Sequence, residues 1–393
     1  MPPPTLFVGA EKNLFGANAS LDKSPEIQVF YATNRRPSGA DGSYSKFPDD
    51  HLHMGVASLR IGDGKSWDWL YEASTRHSSE SRPQILVSSM DRQASVPLDS
   101  ALEQPGEEAL AFFGAIDKAL ASAADKDLTI YVHGANTGVG RAAGQAAQYR
   151  HFTGRNSVVL AYMWPSAGNF LRFGHDVKSS AQTAPAFAQM VRLLAKHTRA
   201  EHINVIAYSS GASVASPGLA LLGTAAEGYD PGSVRLGEVY FPAPDADFRS
   251  FVNDLKVYQT YPRRITVTVN MNDSVLAFSR MHQRASRIGR PDPDELTAEE
   301  SQWVIDASNQ LDFDLLSARD EDLPGMSRRS HIFWYDDPWV SSDVVLKMLF
   351  HLPPKGRGLL ENHRESKLEF WTFPEDYEAR LAKTRENFVE VAR

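Results

Sequence analysis

The sequence predicts an α/β protein built on a mainly parallel, doubly wound sheet with helices on both faces. Two observations predict it. From residue 128 onward, apolar runs of strand length alternate with helical stretches, the order that right-handed strand–helix–strand crossovers need. The runs are apolar on consecutive residues, as expected of strands covered on both faces.

Taken in order, residues 1–26 are rich in Pro, Gly, Ala and Asn and read as an irregular N-terminal arm. "IQVFYATNR" (27–35), "MGVASLRIG" (54–62) and "QILVSSM" (84–90) read as strands, with a turn-rich loop over 36–53. "PGEEALAFFGAIDKALASAA" (105–124) reads as a helix, since acids fill its first turn and apolar residues recur at helical spacing. The later strands are "LTIYVHG" (128–134), "SVVLAYMWP" (157–165), "INVIAYSS" (203–210), "LGEVYFPAPD" (236–245), "ITVTVNMND" (265–273) and "HIFWYD" (331–336). Helices over 140–152, 180–198 and 211–228 separate several of them, and "RPDPDELTAEE" caps a further helix near residue 297. Residues 27–393 read as one domain with a rim or lid insertion at 276–330.

Composition narrows the function. The chain has 393 residues and a net charge of −8, which disfavours a nucleic-acid or anionic-membrane surface. No apolar run approaches the roughly 20 residues that span a bilayer, so no integral membrane segment is expected. The start, "MPPPTLFVGAEKN", shows neither a basic region nor a long apolar one, so no signal peptide is read there. A soluble protein is expected, with compartment and oligomeric state open. Zero cysteines exclude disulfides, thiolate catalysis and cysteine-based zinc sites.

A parallel sheet of this kind holds its site at the carboxyl ends of the strands. There, "VIAYSSGAS" (205–213) ends an apolar run in two adjacent serines. A nucleophilic serine on a tight strand-to-helix turn needs small residues two before and two after it. Ser209 has Ala207 and Gly211 at those places, whereas Ser210 has Tyr208 and Ala212, so Ser209 is the better candidate. Capping of the next helix is the competing explanation for a serine here. "VHGANTG" (132–138) follows an earlier strand and offers the N–H of Ala135 or Asn136 for an oxyanion hole, with Ser210 N–H as the second donor. His133 in that loop reads as a buried structural residue. The acid and base should follow in chain order, which selects Asp273 in "VNMND" and His331 in "RRSH"; Asp245 and Asp247 are rival acids.

In this order, "VFYATNR", "VHGANTG", "MWPSAG", "AYSSGA", "FPAPDADF", "VNMNDSVLAFSR" and "SH" resemble the α/β-hydrolase superfamily. The resemblance is strongest to a bacterial branch known as domain of unknown function 900, and it covers about residues 27–350. It implies the α/β-hydrolase fold, a sheet of about eight strands, and a Ser–Asp–His triad at Ser209, Asp273 and His331. That branch usually has His before the serine and Met after it. Tyr208 and Ser210 stand there in this chain, a departure that bears on the pocket rather than the triad.

The expectation is therefore a serine hydrolase acting on a small-molecule or polymeric carboxylic ester, with no cofactor and no metal. Asn136, Tyr208, Trp164 and Phe170 are candidate pocket residues, with core packing the alternative for Trp164 and Phe170. An amidase or acyltransferase would use the same triad, and a silent hydrolase fold would serve as a binding module. "HLH" (51–53) has the spacing of two metal ligands but reads as a surface pair. "GVGRAAG" lacks the ending of a phosphate loop and reads as a helix start. Arginines before His331 read as solvated.

Overall fold

Residues Leu128–Val132, Val158–Tyr162 and Ile203–Ala207 are buried along their whole length, which requires a sheet interior covered on both faces. The structure, a computed structural model, describes all residues except 1–2, 10–12, 40–41, 77–81, 167–172, 224–230, 311, 320, 322, 324–325, 327–329, 364–367 and 392–393. The strands are β1 (Glu26–Pro37), β2 (Tyr44–Ile61), β3 (Ile85–Pro97), β4 (Leu128–Val132), β5 (Val158–Tyr162), β6 (Ile203–Ala207), β7 (Leu236–Phe241), β8 (Arg264–Val269), β9 (Phe313–Ser317), β10 (Leu360–His363) and β11 (Glu369–Thr372). The helices are α1 (Leu14–Ala17), α2 (Trp67–Thr75), α3 (Glu107–Ser122), α4 (Val139–Phe152), α5 (Phe173–His197), α6 (Ala212–Gly223), α7 (Phe248–Tyr258), α8 (Ser274–Gln283), α9 (Ala298–Gln310), α10 (Phe333–Asp336), α11 (Pro338–Phe350) and α12 (Tyr377–Val391).

All these strands form one sheet in the order β10-β11-β9-β8-β7-β6-β4-β5-β1-β2-β3. It has 11 strands where about eight were expected. From β11 to β1 the neighbours are parallel, and antiparallel strands extend both edges: β2 and β3 beyond β1, β10 beyond β11. Alternate side chains serve two cores. Leu128, Ile130 and Val132 face a layer that includes α3, α5, α6 and α7, while Tyr131 faces α4 and α11.

Several expectations need correction. "HIFWYD" is not a strand: His331 precedes the single turn α10, in which Phe333 and Trp334 are buried. A short apolar run has no periodicity that separates the two states. The segment read as a loop over 36–53 mostly belongs to β2, whose first residues are polar because they lie at an exposed edge. The segments β9, β10 and β11 are four or five residues long, too short for a pattern. The N-terminal arm contains α1 and buries Leu6, Phe7 and Phe15 against α4 and α11. The cap read near residue 297 is reciprocal: Thr297 Oγ1 accepts from Glu300 N–H and Glu300 Oε2 accepts from Thr297 N–H.

Toward the amino ends of the strands the sheet is pinned by buried charge. Lys347 Nζ lies 2.6 Å from Glu238 Oε2. Arg357 reaches Asp314 at 2.9 Å and Asp343 at 2.7 Å, and Tyr240 OH donates to the same Asp343 oxygen. Burial alone would raise the Glu238 carboxyl, but the His351 imidazole 3.5 Å away and the charge of Lys347 outweigh it, holding the group at about 2 against its ordinary 4.5. The folded chain thus keeps this carboxylate ionised where the unfolded chain binds a proton. Its contribution to stability is complete above 4.5 and is lost as pH falls toward about 2. Urea denaturation followed across that interval should show a shallower loss of stability in Glu238→Gln than in the native chain; equal losses would contradict the assignment.

Candidate active site

The turn after β6 is built for close approach. Ser209 adopts φ +52°, a left-handed conformation that costs a serine about 1–3 kcal/mol and persists only when its surroundings impose it. The surroundings are explicit. Tyr208 N–H donates to Val132 O, Ser209 N–H donates to Pro242 O, and Ser209 O accepts from Asp245 N–H. A Cβ at Gly211 would lie 2.6 Å from Val132 O and 2.8 Å from His133 O, so only glycine lets α6 start this close to β4.

The turn presents Ser209 Oγ to His331, whose Nε2 lies 2.7 Å away. His331 Nδ1 lies 2.7 Å from Asp273 Oδ2. Asp273 is fully buried and caps α8: its Oδ1 accepts from Val275 N–H at 2.9 Å and Leu276 N–H at 3.0 Å. Those amides hold Oδ1 and so fix Oδ2 as the oxygen that faces the imidazole. Asn270 Nδ2 donates to Ser330 O and so holds the backbone just before His331. The structure thus brings Ser209, His331 and Asp273 into one hydrogen-bonded chain.

The rival acids have other partners. Asp247 caps α7, accepting from Ser250 N–H at 2.8 Å. Asp245 is paired with Arg287 at 2.6 Å and accepts from Ser210 Oγ at 3.1 Å. The two serines therefore differ in partner as well as position: Ser209 faces an imidazole, Ser210 a carboxylate.

The loop after β4 lies against the same turn. A Cβ at Gly134 would be 3.1 Å from Ser209 Cβ. Among the described residues, the amide N–H groups of Ala135 and Ser210 donate to no protein acceptor. His133 donates from Nδ1 to Gly134 O at 2.7 Å. Burial, with the nearby Arg35 charge, pushes this imidazole down to about 3, so it is neutral. Trp164 stacks on His133, with ring centroids 5.3 Å apart, and donates from Nε1 to His133 O. Trp164 is wholly buried and braces the loop rather than standing open to a ligand. Tyr208 packs its ring on His331 at 5.6 Å, alongside Trp334 and Tyr335. Asn136 is exposed, with φ +53°. Phe170 lies outside the described residues.

With this geometry the comparisons can be placed. The family described as alpha/beta hydrolase of unknown function (DUF900) matches residues 110–324, more than half of the chain. The chain belongs to that family. Two structures of Thermogutta terrifontis esterase 2, one phosphorylated by paraoxon and one phosphoramylated by tabun, are each 12% identical to it. The first alignment covers 58% of this chain and 86% of the esterase with a TM-score of 0.34; the second covers 68% and 84% with 0.31. Likeness at that level adds nothing on chemistry. No curated protein matches the chain.

Other candidate features of this alpha/beta hydrolase lie apart from Ser209. His51 and His53 stack with centroids 6.1 Å apart on β2, and each pairs with an aspartate just before it in the chain: Asp50 at 2.7 Å and Asp49 at 2.9 Å. A cavity of about 640 Å³ opens at the amino ends of β1 and β5, the end of the sheet remote from this turn.

One supporting residue escaped the sequence reading. Arg35 is buried, donating from Nη2 to Thr137 O at 2.9 Å and from Nε to Met163 O at 3.3 Å, and so fixes the loop that carries Ala135. Nothing in the sequence around it, a strand end of mixed polarity, marks it out. Gly211→Ala tests the closeness of the turn directly. The variant should melt at a lower temperature than the native chain, because only backbone movement can remove both contacts. Native melting would contradict the geometry.

Proposed function

We propose that this chain is a serine hydrolase that cleaves carboxylic esters through an acyl-enzyme intermediate. The observation that carries the reading is the pair of 2.7 Å contacts, Ser209 Oγ to His331 Nε2 and His331 Nδ1 to Asp273 Oδ2, on a strained strand-to-helix turn. Serine is a weak nucleophile until a base removes its proton, and a carboxylate on the far nitrogen keeps the imidazole in the tautomer that can do so.

In the proposed reaction, His331 Nε2 takes the Ser209 proton as Oγ bonds to the ester carbonyl carbon. The oxyanion is held by the N–H groups of Ala135 and Ser210, which find no acceptor among the described residues. The imidazolium returns its proton to the departing alkoxide, leaving Ser209 acylated. Water, deprotonated by the same imidazole, then attacks the acyl carbon. The imidazolium returns that proton to Ser209 Oγ as the bond to the acyl group breaks and the acid leaves. The Asp273 carboxylate orients the imidazole and steadies the imidazolium. Tyr208 and Asn136 would line the pocket, and the part of the expected 276–330 insertion that precedes α9 would form its rim, since Phe313–Ser317 is strand β9 of the sheet. No metal or cofactor enters these steps.

Ser209→Ala, His331→Ala and Asp273→Asn should each lower kcat on p-nitrophenyl esters by about 10⁴-fold. Ser210→Ala should cost about tenfold or less, because its backbone N–H survives. Activity of the native chain should persist after exhaustive EDTA treatment. A Ser209→Ala variant that keeps turnover, or activity that chelation removes and zinc restores, would overturn the proposal.

A further inference from the structure

The carboxylate of Asp245 sits between the Ser209 turn and the segment that follows α8. Its backbone N–H donates to Ser209 O at 3.0 Å, and its Oδ2 accepts from Ser210 Oγ at 3.1 Å. Its Oδ1 accepts from Arg287 Nε at 2.6 Å and Ser279 Oγ at 2.8 Å, while Arg287 Nη2 donates to Asp245 O at 3.0 Å. Both side chains are buried, 2% and 3% exposed, so solvent screens neither charge. The backbone is stitched alongside, with Ile288 N–H to Ala246 O and Gly289 N–H to Pro244 O.

We propose that Arg287 is a positioning residue for the reaction of Ser209: through Asp245 it orients the Ser209–Ser210 turn and cancels a negative charge beside the oxyanion site. The inference rests on the ester-hydrolase reading above. Two arguments support a role beyond packing. A buried ion pair costs more than an apolar pair of equal volume, so what it supplies is direction, here toward both serines. The carboxylate also lies one hydrogen bond from Ser210, whose N–H is a proposed oxyanion donor. Left unneutralised, it would oppose the charge that develops there.

The test compares Arg287→Met, Arg287→Lys and the double variant Asp245→Asn/Arg287→Met. Steady-state constants on a p-nitrophenyl ester are divided by the concentration of Ser209 that a fluorescent phosphonate labels. Per labelled serine, Arg287→Met should lower kcat about 100-fold with KM within about twofold. Arg287→Lys, which keeps the charge, should lose about tenfold or less. The double variant, with no net charge change at the site, should regain at least about tenfold over Arg287→Met. Should Arg287→Met not fold, Arg287→Lys and the double variant still decide: the first should lose kcat without KM, and the second should exceed 1% of native kcat. Unchanged kcat per labelled serine in every variant that folds would reduce the pair to a structural role. A double variant no better than Arg287→Met would refute charge cancellation. Failure of the native chain to label at Ser209 would instead remove the ester-hydrolase reading itself.

Discussion

The left-handed backbone of Ser209 is the constraint on which the rest of the site depends. A serine held at φ +52° turns its Oγ away from the path of β6 and α6 and out toward the neighbouring loops. Locally, only short turn bonds hold that conformation: Gly211 N–H donates to Tyr208 O, and Ala212 N–H to Ser209 O. It is imposed by hydrogen bonds from three directions: the end of β4, Pro242 after β7, and Asp245. Gly211 and Gly134 are the places where a side chain would push these pieces apart. The contact of Ser209 with the His331 imidazole and the placement of the Ser210 amide follow from the chain being forced through that turn.

The two ends of the sheet solve different problems. The amino ends are tied by ion pairs wholly removed from water, Lys347 with Glu238 and Arg357 with Asp314 and Asp343. Such pairs fix register without leaving a group poised to react. At the carboxyl ends the supports are mostly backbone carbonyls and neutral rings: Arg35 on Thr137 O, Trp164 on His133 O, Tyr208 on His331. Buried charge there includes Asp273, Asp245, Arg287 and Arg35, each with defined partners. A rigid base thus carries a top whose polar groups are few and aimed.

Sequence alone exposed the part of this molecule that is dominated by burial. Strands β4 to β8 were readable because both faces are apolar, and Ser209 could be separated from Ser210 because crowding demands small flanks. Asp273 and His331 were reachable only through chain order, since the loops that bring them together carry no periodic signal. The strands toward either side of the sheet were hidden for the opposite reason. The first residues of β2 are mostly polar and look like a loop, and β9 to β11 are too short to show a period. "HIFWYD" misled because four apolar or aromatic residues in a row fit a buried strand as well as a buried helical turn. Arg35 and Arg287 could not be assigned without coordinates, because a buried guanidinium is recognised by its acceptors and not by its neighbours in the chain.

The central claim is that Ser209 is the nucleophile activated by His331. The most direct measurement is peptide-level mass spectrometry after reaction with an alkyl fluorophosphonate, run on the native chain and on His331→Ala. The account predicts a single adduct on Ser209 in the native chain, formed at least about 100-fold more slowly when the imidazole is gone. An adduct on Ser210, or labelling of Ser209 at the native rate without His331, would contradict it.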